Sequence, residues 1–157
     1  MRELEGANGS DFISANWISG EIPGSDKSYI ATQGPLQHTV DDFWRMIQEY
    51  NIKVVVMLSN LVENGREKVW QYWPENEEMI VNNLKLTLLH QNQSDQLISR
   101  EFQIENMETN QRTIVTQLQY VAWPDHGLPE HTDGFSKILD LVDAKNTSNS
   151  PIVVHCR

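Results

Sequence analysis

The stretch PIVVHCR (151–157) places a histidine and the chain's single cysteine at the end of a short apolar run. Cys156 is the first candidate for chemistry, because a thiolate is a strong nucleophile. A free thiol with a pKa near ~8.5 is mostly protonated at neutral pH, so it needs nearby cations, backbone N–H donors or a helix N-terminus to become reactive. The plain alternative is a structural cysteine, since free cysteine is among the most buried residue types. A second candidate is WPDHG (123–127), in which Asp125 lies between Pro124 and Gly127. Proline fixes φ, and glycine permits backbone conformations closed to other residues. Such a loop can swing a carboxylic acid toward a substrate held elsewhere, where burial raises its pKa into the range of a general acid. An ordinary turn explains the same residues. The five histidines do not have metal-ligand spacing: His126 and His131 are five apart, His38 and His90 stand alone, and neither CxxC nor HExxH occurs. No cofactor motif is present, neither GxGxxG nor a Walker sequence.

These groups need elements to hold them. PIVV predicts a buried strand that delivers His155 and Cys156 to its carboxyl end, where α/β proteins place reactive groups. IKVVVML (52–58) is a near-continuous apolar run, the mark of a strand covered on both faces. FISANWI (12–18) reads as a strand, and EIPGSDKS (21–28) as a turn around Pro23-Gly24. Val40, Phe43, Trp44 and Ile47 fall at i, i+3, i+4, i+7, after Thr39 and Asp42 in capping-box spacing, so a helix should start there and end near Tyr50-Asn51. Leu84, Leu86 and Leu88 alternate, as do Phe102 and Ile104. So do the residues of TIVTQLQYVA from Ile114 to Ala122, which suggests half-buried strands in antiparallel hairpins. A second helix, with Phe135, Ile138, Leu139 and Val142 on one face, should lead into PIVV as a crossover to a parallel pairing. The expected fold class is α/β (α+β), with a central mixed, largely antiparallel sheet flanked by helices.

The 157 residues suffice for one domain with a real core, and 39% hydrophobic with 8% aromatic content is globular. Residues 1–10 are expected to be poorly structured. No apolar run approaches the ~18 residues of a spanning helix, so no membrane segment is expected. A net charge of −10 disfavours nucleic acid as a partner, although a local positive pocket for a small anion remains compatible with it. One cysteine fits a reducing compartment.

Together these stretches resemble the classical protein-tyrosine phosphatase domain. SDFISANWI, YIATQGPL (29–36), DFWRM (42–46), VVMLSN, KVWQYWP (68–74), WPDHGLP and VVHC (153–156) are similar to that family's motifs in the same order, with Val69 where the family has a cysteine. The stretches 21–36 and 118–130 look most similar to the cytosolic branch that carries FERM and PDZ modules. The resemblance implies a hydrolase acting on phosphotyrosine-containing proteins through a cysteinyl-phosphate intermediate, with no cofactor. It places the domain in the cytoplasm, alone or as the cytoplasmic part of a larger protein. Cys156 would be the nucleophile and Asp125 the general acid, with Trp123, Pro124 and Gly127 shaping the acid loop. His155 would tune the thiolate, Lys68 would face the closed acid loop, and Glu63 would orient the signature arginine.

That arginine stands six positions after the family's cysteine, following five residues whose N–H groups cradle phosphate. Here Arg157 directly follows Cys156, so it should not inherit the clamp role. Residues 11–157 are therefore expected to be a partial catalytic domain with an incomplete tyrosine-phosphatase fold. A naturally truncated, non-catalytic pseudophosphatase or interaction module is the alternative expectation.

Overall fold

The computed structural model of the chain describes residues 14–18, 26–122 and 133–157. The expected loose segment 1–10, Phe12 and Ile13, most of the Pro23-Gly24 turn, and the acid loop with His126 and His131 lie outside the described residues. Strands β1 (Ala15–Ile18) and β2 (Tyr29–Thr32) precede helix α1 (Val40–Glu49) and strand β3 (Val54–Met57). A small hairpin follows, of β4 (Val62–Glu63) and β5 (Arg66–Glu67). Next come β6 (Glu78–Val81), β7 (Leu84–Gln93), β8 (Leu97–Asn106), β9 (Arg112–Tyr120), helix α2 (Asp133–Lys145) and β10 (Ile152–His155).

Among the described residues, eight strands form one sheet in the order β1-β2-β10-β3-β9-β8-β7-β6, and β4 with β5 forms a second, two-stranded one. Four of the seven pairings in the large sheet are antiparallel, and the three parallel ones sit at its centre. The expected mixed, mostly antiparallel sheet is what forms. β10 lies parallel between β2 and β3, so the crossover through α2 delivers His155 into register with both Thr32 and Met57.

The sheet is covered on both faces in its middle. On one face Phe43, Trp44, Met46 and Ile47 of α1 pack with Val55, Met57, Leu86, Phe102 and Val153. On the other, Ile138 and Val142 of α2 pack with Val54, Val56, Leu118, Tyr120 and Ile152. This explains the unbroken apolar run in β3, whose four residues are all buried. α1 stops at a Schellman turn: Asn51 takes the left-handed conformation (φ 52°), its N–H donates to the Gln48 carbonyl, and Ile52 N–H donates to the Ile47 carbonyl. The chain then passes straight into β3.

Three local expectations are corrected. Thr39 is the N-cap residue of α1 but makes no side-chain cap. Its Oγ1 instead accepts the Leu36 N–H and donates to the Leu36 carbonyl, closing the turn before the helix. Leu139 points outward, 47% exposed, because α2 meets the sheet through Ile138 and Val142. The half-buried reading of β9 also fails, since Val115 to Tyr120 are buried on both faces.

Candidate active site

Cys156 lies just past the end of β10, at the carboxyl edge of the parallel centre, and is exposed. Its backbone is held from three sides. The carbonyl accepts hydrogen bonds from His155 Nδ1 (3.0 Å) and from the Ser59 hydroxyl (3.2 Å). The preceding carbonyl, of His155, accepts the Leu58 N–H at 2.9 Å. Gly34 presses against the same point, and a methyl group there would stand 2.6 Å from the Cys156 carbonyl oxygen and 2.5 Å from Val69 Cγ2. The loop before α1 can approach the cysteine this closely only because residue 34 has no side chain.

His155 is buried at 1% exposure, with its ring edge-on to Phe43 and Tyr72. Burial pushes its pKa down to about 4, and the hydrogen bond to the Cys156 carbonyl only partly offsets this. The ring is thus neutral at pH 7. Its Nε2 lies 2.8 Å from the Tyr72 hydroxyl. Burial raises the Tyr72 pKa, so that group stays a phenol.

Glu63 ends β4, and the two-residue turn after it has Asn64 and Gly65 at φ 52° and 72°, the positive pair a type I′ hairpin requires. The carboxylate is largely buried. Oε1 accepts the Asn60 N–H at 3.3 Å, and Oε2 has the Arg157 guanidinium at 3.2 Å. Oε2 makes no well-aligned hydrogen bond, so the ion pair is what balances its charge. Lys68 follows the hairpin, half-buried, beside the Val69 side chain that touches Gly34.

Trp123, Pro124, Asp125 and Gly127 lie outside the described residues, but the chain on either side is tied down. Asn60 Nδ2 donates to the Val121 carbonyl at 3.3 Å, and Val121 N–H donates to the Gln96 carbonyl at 3.0 Å. Further along the chain, Gly134 lies against the Gln96 side chain and the Tyr120 ring. Val121 and Gly134 therefore both lie against Gln96.

The structure thus brings Cys156, His155, Glu63 and Arg157 to one edge of the sheet. It also reveals partners that the sequence reading did not single out: Tyr72, Ser59, Gln117, Gln119 and Arg100. The two glutamines, alternating on one face of β9, were the available signal. No group of residues suited to a metal ion occurs among the described residues.

A family model described as Protein-tyrosine phosphatase matches residues 3–157. The chain is 41% identical over 157 residues to Tyrosine-protein phosphatase 1 of Caenorhabditis elegans, covering 98% of this chain and 15% of that protein. It is 42% identical over 153 residues to Tyrosine-protein phosphatase non-receptor type 4 of Mus musculus, covering 93% and 16%. It is 40% identical over 149 residues to Receptor-type tyrosine-protein phosphatase eta of Gallus gallus, covering 93% and 10%. The chain spans a sixth or less of the length of these relatives, and receptor and non-receptor types are almost equally similar to it.

Proposed function

The chain belongs to the protein-tyrosine phosphatase family, and on that premise we propose that the protein carrying it hydrolyses phosphotyrosine on other proteins, with Cys156 as nucleophile. The observation that carries the reading is Cys156 itself, an exposed thiol whose peptide is clamped by His155, Ser59 and Gly34 at the carboxyl end of a central strand. Clamping the peptide carbonyl fixes the position of the cysteine's backbone, the positional contribution that rate enhancement by orientation requires, while the sulfur has only a long contact to the Arg157 carbonyl at 3.9 Å.

In the proposed reaction, the Cys156 thiolate attacks phosphorus, and the bond from phosphorus to the tyrosyl oxygen breaks. Asp125 gives its proton to the departing phenolate oxygen. Water then attacks the cysteinyl phosphate, releasing inorganic phosphate and restoring the thiolate, while the proton of that water passes to Asp125. In this proposal Lys68 faces the acid loop. Glu63 balances cationic charge at the site, a task it performs here toward Arg157. Trp123, Pro124 and Gly127 give the acid loop its shape. A cytoplasmic location fits substrates modified on tyrosine, and no helix among the described residues is long and apolar enough to cross a membrane.

The test is hydrolysis of a phosphotyrosine peptide by the full-length protein and by its Cys156→Ser variant. Turnover that disappears in Cys156→Ser while the substrate still binds supports the reading. Turnover that survives the substitution contradicts it.

A further inference from the structure

β8 and β9 carry a polar row through the core. Gln91, Arg100 and Gln117 are lateral neighbours across β7, β8 and β9, and Gln119 lies two residues on, along the same face as Gln117. Arg100, Gln117 and Gln119 are all buried, at 7%, 1% and 4% exposure. The Arg100 guanidinium lies 4.5 Å over the Trp73 ring and donates to three glutamine oxygens: Nε to Gln91 (2.9 Å), and Nη1 to both Gln117 (2.8 Å) and Gln119 (2.9 Å).

We propose that Arg100 is a remote positioning residue for the cysteine, setting the direction of every hydrogen bond that leads from the sheet to the Cys156 carbonyl. A guanidinium has donors only, so each glutamine must turn its oxygen toward Arg100 and its NH2 away from it. For Gln117 that points the amide at the Tyr72 hydroxyl oxygen, 2.6 Å from Nε2. With that oxygen accepting from Gln117, the phenol proton goes to His155 Nε2, 2.8 Å away. A neutral imidazole that accepts at Nε2 carries its proton on Nδ1, and Nδ1–H is the donor the Cys156 carbonyl needs.

The second branch runs through Gln119. Its Nε2 donates to the Ser59 carbonyl at 3.1 Å, which anchors the residue whose hydroxyl donates to the same Cys156 carbonyl. Both branches begin on one nitrogen of Arg100 and end on one oxygen of the cysteine's peptide. The reverse polarity would set Gln117 NH2 against the guanidinium and the Nδ1 lone pair against a carbonyl oxygen, two buried mismatches.

The consequence for catalysis rests on the phosphatase reading, but the polarity itself does not, and the experiment reads the polarity without turnover. Two-bond proton–nitrogen correlation on 15N-histidine-labelled chain at pH 7 identifies the tautomer of His155. The wild-type chain should show the Nδ1–H form alone, and an Nε2–H pattern there overturns the proposal before any variant is made. Gln117→Glu offers Tyr72 only acceptor oxygens, so the phenol proton turns toward residue 117 and the Nε2–H form should become the major one. Arg100→Met frees the Gln117 amide and should give a mixture, while Arg100→Lys, which keeps donors, should restore the Nδ1–H form. A folded Gln117→Glu protein with His155 still wholly Nδ1–H overturns the proposal.

Discussion

Replacing His155 by glutamine should remove one specific source of acid sensitivity. The folded ring is held at a pKa of about 4 by burial, against 6.5 for an ordinary histidine. Between those two values the unfolded chain binds a proton that the folded chain does not, so stability falls as pH drops through that window and is level above it. At about 1.4 kcal/mol per pH unit, the gap is worth about 3 kcal/mol between pH 7 and pH 4. Protonation would set an Nε2–H donor against the Tyr72 hydroxyl, which already receives the Gln117 amide.

The assay is urea unfolding from pH 7 to pH 4 for wild type and His155→Gln, compared as a difference so that the carboxylates common to both cancel. The wild-type midpoint should fall by about 1.5 M more than that of the variant, for a urea slope of about 2 kcal/mol per molar. Parallel curves for the two proteins would refute the argument that His155 is buried in its neutral form.

Other expectations follow from the same geometry. Gly34→Ala should destabilise the fold by about 1–3 kcal/mol by urea unfolding, because its methyl group meets Val69 and the Cys156 carbonyl oxygen. Trp44→Ala removes a side chain that is 1% exposed and whose indole N–H donates to the Tyr72 carbonyl at 2.6 Å; the loss should be about 3–5 kcal/mol by the same measurement. In the full-length protein, Asp125→Ala should slow hydrolysis of a phosphotyrosine peptide about 10²–10⁴-fold while binding persists, with a smaller effect on substrates whose leaving group is already acidic. An unchanged rate with the peptide would remove Asp125 from the role of acid.

The sequence exposed the elements whose signal is local. The apolar run of β3, the helical spacing of α1 and the PIVV strand appear where expected, because periodicity records burial by a neighbouring layer. It misled where a polar residue is buried by its partners. Gln117 and Gln119 look like the solvent face of an alternating strand, yet Arg100 from β8 accounts for both, and only the β8–β9 register brings it there. Leu139 misled in the opposite sense, since helical spacing names a stripe but not where its edge meets the sheet. Cys156 and His155 were legible as a pair. That Ser59, just after β3, holds the Cys156 carbonyl and that Tyr72, from the loop before β6, holds the His155 ring follows from tertiary packing that no local pattern encodes.

The most direct test of the account is to trap the intermediate. The full-length protein is mixed with a phosphotyrosine peptide, quenched in acid within one turnover, digested, and the peptide containing Cys156 is weighed by mass spectrometry. One phosphoryl group is expected on Cys156, absent from Cys156→Ser and enriched when water attack is the slow step. Product formation in the first turnover with no phosphoryl group on Cys156 at any quench time would contradict the claim that this cysteine is the nucleophile.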